Sequence, residues 1–176
     1  PEGSTGVYTT PVTAGLSAFQ VLNDGRIITG SYDTKVYVSD DSGGALHTLT
    51  DSNAIINVLF EDSNGDLIVG TLNGKLLRYN TSTWAVESLT LSHGKAISSI
   101  QQYDNSTYAI GSKSGHLSIV DVTTFSEQKT HVATGYVIGS LQYYTTAIYV
   151  ASTTPTSSKI YLFDIDSDSD GVTDRL

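Results

Sequence analysis

The chain has 176 residues and 18.7 kDa, with 39% hydrophobic residues, 15% charged residues and a net charge of −9. That balance argues against a disordered acidic tail, and no apolar run approaches the roughly 20 residues of a membrane-spanning helix, so membrane insertion is not expected. A negative field repels phosphate, so nucleic acid is not expected as a partner. There is no Cys and no Met. Disulfides, thiolate nucleophiles and Cys-ligated zinc are thereby excluded, and the two most oxidisable side chains are missing, which suits an exposed environment.

In chain order, Gly6–Thr13 reads as a short strand ahead of a repeated pattern. Gly30, Gly70, Gly111 and Ala151, spaced 40, 41 and 40, each follow a short apolar run such as Ile27-Ile28-Thr29 or Leu67-Ile68-Val69. A turn precedes each of them at Asp24-Gly25, Asn64-Gly65, Asn105-Ser106 and Thr145-Thr146, and a second follows at Asp33-Thr34, Asn73-Gly74 and Ser114-Gly115. Asp40, Asn80 and Asp121 come next in phase, and Asp164 arrives late because Thr153–Ser158 lengthens the second turn. The β-formers between these turns predict strands at 18–22, 26–32, 35–39 and 45–49 in the first unit and at 56–61, 66–71, 75–79 and 86–90 in the second. The third unit follows at 97–103, 107–112, 116–121 and 127–132, and the fourth at 137–143, 147–152 and 159–164, without a clear fourth strand. Asn-Gly and Asp-Gly supply the positive φ that two-residue hairpins need. No helical periodicity is present. A β-sandwich has no reason to repeat at 40 residues, whereas radially stacked four-stranded blades do.

The segment Ile28–Asp40 resembles a WD repeat, with Ser39-Asp40, Tyr79-Asn80, Val120-Asp121 and Phe163-Asp164 standing where the family's Trp-Asp dipeptide would be. Tyr108–Gly135 resembles equally the YVTN repeats of prokaryotic surface proteins, and Asn73–Leu76 is similar to quinoprotein-type repeats. The resemblance implies an all-β fold, a β-propeller of four-stranded antiparallel blades. Its four repeats, 16–54, 55–95, 96–136 and 137–164, would form a closed small ring or part of a larger propeller, with residues 6–13 completing the last blade. Two copies completing one larger ring is a further expectation.

Residues 165–176 are set apart as an acidic linker. Asp166, Asp168, Asp170 and Asp174 alternate with small residues around Gly171, an arrangement that offers several oxygens to a hard cation such as Ca²⁺. The run resembles a thrombospondin type 3 repeat and the start of an EF-hand or dockerin loop. Counted from Asp166 as an EF-hand, the twelfth ligand falls one position beyond Leu176, so the motif is expected to be cut in mid-repeat. The alternative reading is a solvated acidic linker. The type 3 resemblance implies an extracellular or cell-surface location.

Other candidates are weaker. His47, His93, His116 and His131 show no metal-ligand spacing, no Gly-x-Ser-x-Gly elbow or phosphate loop is present, and Asp62–Asp66 reads as a structural turn. Trp84, the single Trp, is similar to those that quinoprotein propellers dock between blades. Tyr32, Tyr37, Tyr103, Tyr143 and Tyr144 would serve an amphipathic contact surface. Asn80-Thr81-Ser82 and Asn105-Ser106-Thr107 match the N-glycosylation acceptor pattern in turns, with Asn80 and Asn105 as the acceptors. The expected function is a non-catalytic extracellular or cell-surface module, part of a surface layer, adhesin or filament. It would contact protein or glycan and self-assemble, with a Ca²⁺-binding linker following. One alternative is a fragment of a quinoprotein-like or lyase-like propeller enzyme with its active site in other blades; another is a WD-type peptide-binding scaffold.

Overall fold

The computed structural model describes residues 12, 14–132, 136–144, 147–154, 156–165 and 172–175. Those residues are all-β, in four antiparallel sheets, each of four strands in sequence order. The first sheet is β1 (Leu16–Val21), β2 (Ile27–Ser31), β3 (Val36–Ser39) and β4 (Ala45–Leu49). The second is β5 (Ile56–Glu61), β6 (Leu67–Thr71), β7 (Lys75–Tyr79) and β8 (Val86–Thr90). The third is β9 (Ile97–Asp104), β10 (Thr107–Ser112), β11 (His116–Asp121) and β12 (Ser126–Val132). The fourth is β13 (Val137–Tyr144), β14 (Ala147–Thr153), β15 (Ser158–Ile165) and β16 (Val172–Arg175).

β16 corrects one expectation. The fourth unit does have an outer strand, in antiparallel register with β15 from Leu162↔Arg175 to Ile165↔Val172. The open edge of β15 carries backbone donors and acceptors that need partners, and the next stretch able to run extended supplies them. The Asp-rich run therefore joins two strands of one sheet, and Val172–Arg175 belong to that sheet rather than to a linker after it. The strand expected at 6–13 lies outside the described residues apart from Val12.

The hairpin turns also differ from the two-residue type. In the β1–β2 turn, Gly25 N donates to Leu22 O at 2.9 Å and Leu22 N to Arg26 O at 2.9 Å. That is a type I turn followed by a residue in the left-handed region, here Gly25 at φ 91°. The same pattern recurs with Gly65 (φ 80°), Gly74 (φ 80°) and Gly115 (φ 82°), and with Thr34 (φ 72°) in the first sheet. A buried oxygen fixes several of these turns from their first residue. Asp62 Oδ1 accepts from Asn64 N and Asp66 N, both at 2.9 Å, and Thr71 Oγ1 accepts from Lys75 N at 2.9 Å. Ser112 Oγ likewise accepts from His116 N at 2.9 Å. The side chain thus satisfies donors that the reversing backbone cannot pair itself.

Consecutive sheets pack through their faces and enclose three apolar clusters, one per interface. The first strands converge, with β1 against β5, β5 against β9 and β9 against β13. The repeated glycines sit at these contacts. A Cβ at Gly30 would lie 2.4 Å from Ile56 Cγ2, one at Gly70 would lie 2.6 Å from Ile97 Cγ2, and one at Gly111 would lie 2.6 Å from Ile138 Cγ2. In each case the branched methyl of the next sheet's first strand occupies the space that a side chain would take. Each first strand also carries a bulge one residue after that position, at Ser17, Asn57, Ser98 and Gly139. Two bulge residues tie the sheets together: Asn57 Nδ2 donates to Ile97 O at 2.6 Å, and Ser98 Oγ donates to Ile138 O.

Gly70→Ala forces its methyl against Val58 Cγ1 and Ile97 Cγ2. Urea unfolding should show a loss of about 1–3 kcal/mol, and Ile97→Leu, which removes the clashing methyl, should recover part of it.

Candidate functional site

A polar cleft lies between the second and third sheets. It is an open cleft of about 430 Å³, lined among others by Asp66, Arg78, Asn80, Glu87, Asn105 and Thr123. Its walls are hairpin turns and the β7–β8 pair, so its residues come from positions the repeat already fixes. Behind it lies Asp62, buried in the β5–β6 turn. Its Oδ2 accepts a 2.5 Å hydrogen bond from the Tyr108 hydroxyl of β10, which joins the two sheets. Burial pushes the Tyr108 hydroxyl far up, with the Asp62 carboxylate as acceptor reinforcing the shift. Burial also raises the Asp66 carboxyl, the neighbouring Asp62 adds to the rise, and Arg78 opposes it.

Arg78 is engaged on all sides. Its Nε donates to Glu87 Oε2 at 2.8 Å, its Nη1 donates to Val122 O, and its guanidinium lies 4.7 Å from the centre of the Phe125 ring. Asn80 is equally committed. Its Oδ1 accepts from Thr83 N and Thr83 Oγ1, both at 3.0 Å, and its Nδ2 donates to Asp66 Oδ1 at 3.2 Å. Asp40 and Asp121 do the same work in their own sheets: Asp40 Oδ1 accepts from Gly44 N at 2.7 Å, and Asp121 Oδ1 accepts from Thr124 N at 2.7 Å. The residues at the Trp-Asp position are thus turn closers between the third and fourth strands. The cleft offers amide, hydroxyl and carboxylate groups around the Arg78–Glu87 pair, which suits hydrogen bonding to a polar ligand.

The sequence-derived candidates are distributed as follows. Asp166, Asp168 and Asp170 lie outside the described residues, and Asp174 falls on β16, opposite Phe163. Among the described residues, no group of three or more acidic or His side chains is placed to hold a metal. Asn80 and Asn105 are brought to the rim of one cleft, both exposed. The five tyrosines do not form one face: Tyr37 is buried with its hydroxyl on Asp33, Tyr103 and Tyr143 meet edge to face at 4.4 Å, and Tyr32 and Tyr144 are exposed.

Two features were not apparent from spacing. Trp84 and Phe125, 41 residues apart, both adopt positive φ (59° and 46°) just before a fourth strand. Trp84 docks against the first core, with His47 at 5.1 Å and the Arg26 guanidinium at 5.0 Å. His93 and His116 stack at 5.1 Å. Burial lowers the His93 ring below its ordinary 6.5, and the adjacent His116 adds to this, while Glu127 opposes. Its Nδ1 accepts from Lys95 N at 2.8 Å, which holds the ring neutral.

The sequence finds no match among known protein families or curated proteins. Its structure resembles those of designed proteins. The crystal structure of the computationally designed Ika4 protein superposes with a TM-score of 0.77, at 15% identity, over 93% of this chain and 100% of that one. The designed Ika8 protein superposes with a TM-score of 0.70, at 17% identity, over 82% of this chain and 45% of that one. These likenesses bear on fold alone.

Tyr108→Phe removes the hydroxyl from Asp62 and leaves a buried carboxylate oxygen without that donor. Thermal or urea unfolding should show a cost of about 1–3 kcal/mol. His93 takes up its proton at lower pH in the folded chain than in the unfolded one, so stability should fall as pH drops below 6.5. His93→Asn, which keeps an acceptor for Lys95 N, should flatten that slope in unfolding midpoints measured between pH 5 and 8.

Proposed function

We propose that the chain is a non-catalytic β-propeller module of the cell surface, acting by contact with protein or glycan. The observation that carries this reading is the use to which its polar groups are put. Asp40, Asp62, Asn80 and Asp121 close turns, Arg78 is paired with Glu87, and large apolar side chains stand exposed on the first and last sheets. Blades of this kind present surfaces built from turns at either end of their strands, and the Asn80–Asn105 cleft is one such surface. The sheet-by-sheet stacking and the likeness to Ika4 support a propeller.

The Asp-rich run gives this module its proposed Ca²⁺ site. The first three sheets close the third-to-fourth strand connection with a single Asp or Asn oxygen. In the fourth sheet the same connection carries Asp166, Asp168 and Asp170, with Asp174 following on β16. Carboxylates spaced this closely along a chain repel one another, and a cation relieves that repulsion. An extracellular setting, where calcium is plentiful, fits that requirement.

Calorimetric titration with CaCl₂ should show saturable binding and a rise in Tm. Asp168→Asn combined with Asp170→Asn should abolish both while leaving the calcium-free Tm unchanged or higher. Absence of heat and of any thermal shift overturns the calcium assignment.

A further inference from the structure

The three internal interfaces define a rule that the two terminal faces obey without having met. At each interface an Ile on the first strand of one sheet fills the space left by a Gly on the second strand of the sheet before it. Ile56, Ile97 and Ile138 pair in register with Thr71, Ser112 and Ser152. The residue of β1 in that register, paired with Ser31, is Leu16. The residue of β14 at the position of Gly30, Gly70 and Gly111 is Ala151. The two departures compensate. Leu lacks the Cγ2 methyl that excludes a Cβ at the three glycines, and Ala supplies that Cβ. Leu branches at Cγ rather than at Cβ, so the place that the Ile Cγ2 takes at the internal contacts is left open for the Ala methyl.

Burial marks the same surfaces. Leu16 is 51% exposed, whereas Ile56, Ile97 and Ile138 are wholly buried. Phe19 is 62% exposed, whereas its counterparts Leu59, Ile100 and Leu141 are buried. On the last sheet Ile160 is 76% exposed, whereas Val36, Leu76 and Leu117 are wholly buried at the same position, and Tyr149 stands exposed where Ile28, Ile68 and Ala109 are buried. The outer part of the first sheet's face, at Thr29, Tyr37 and Ser39, is already buried, so its open surface is the strip along β1, the strand that makes the internal contacts.

We propose that the occupant of both surfaces is a second copy of this chain, with the β1 strip of each protomer seated on β14 and β15 of its partner. Two such seams are related by a two-fold axis, so the assembly closes and leaves no terminal face open. The inference rests on the blade reading above and extends it to a ring of eight sheets shared by two chains. The sheets superpose on 45% of the longer Ika8 chain. At the seam the bulge residue is Gly139, which has no side chain to donate as Asn57 and Ser98 do, so the seam depends on apolar fit. Both protomers carry −9, so salt should tighten the pair.

The test is sedimentation equilibrium of the purified chain over a range of concentrations. The expected result is a species of roughly twice 18.7 kDa, converted to monomer by Ile160→Lys with unchanged circular dichroism. Leu16→Ile, which restores the methyl against Ala151, should weaken the dimer by about tenfold or more. Leu16→Ile with Ala151→Gly, which rebuilds the internal pairing, should recover it. A chain monomeric up to millimolar concentration overturns the pairing, and its β-sheet circular dichroism then leaves the stacked-sheet reading standing. A dimer indifferent to all three variants overturns it as well.

Discussion

The contact that organises the chain is a methyl group in the place of a side chain. Where β5 meets β2, β9 meets β6 and β13 meets β10, the Cγ2 of an Ile stands at the position a Cβ would need on the facing Gly. Close-packed interiors tolerate neither a void nor an overlap there, so the distance between two sheets is set at one point near their converging edges. The flanking residues then fill the interface as pleating dictates. Leu59 and Val69 turn toward the first sheet, while Val58 and Ile68 turn toward the third. The bulges beside these contacts bend the first strands and, at Asn57 and Ser98, turn a polar side chain toward the neighbouring backbone.

Around this apolar frame, polar residues serve mainly to reverse the chain. Each sheet is a meander, and a meander of short strands spends much of its length in turns. Those turns are held by side-chain oxygens that are buried, as in Asp62, Thr71 and Ser112, or, at the third-to-fourth strand connection, half-buried in Asp40 and Asp121 and exposed in Asn80. The same economy engages many of the carboxylates of the described residues. Asp24, Asp33, Asp40, Asp62, Asp104 and Asp121 accept from backbone N–H groups, and Asp40 and Asp121 titrate below the usual carboxylate range because of the hydrogen bonds they accept. The cleft between the second and third sheets is where this saturation is least complete, since burial and the proximity of Asp62 raise Asp66.

Much of this architecture can be read from residue order. The strands from β5 to β8, and again β10 and β11, fall between turn residues whose conformational needs are distinctive, so their limits follow from composition. The 40-residue phase of Gly30, Gly70 and Gly111 signals a close approach. It does not name the approaching atom, because Ile56 lies in a different unit and only the stacking brings it near. β16 is hidden for a different reason: a short acidic segment forms a strand only because β15 presents an open edge beside it. The ring pair of His93, in the β8–β9 connection, and His116, on β11, leaves no local pattern. The positive φ of Trp84 and Phe125 contradicts the preference of bulky residues for negative φ and is imposed by the docking of their rings. Of the candidate site, the sequons and the Asp-rich run were visible as motifs, whereas the meeting of Asn80 and Asn105 at one cleft required the fold.

The Gly-to-Ile contact also makes the units interchangeable. The second and third sheets each present both an Ile, toward the sheet before, and a Gly, toward the sheet after, so the three internal joints have one form. Deleting the second unit would bring Ile97 to face Gly30, and duplicating it would bring Ile56 to face Gly70, both with the methyl still over the glycine. Such a chain can lengthen or shorten in whole sheets, by recombination between equivalent turns, without redesign of a core. Gene-level expansion and contraction is therefore an evolutionary path that the packing leaves open, with the Leu16 and Ala151 faces as the only surfaces of a different kind.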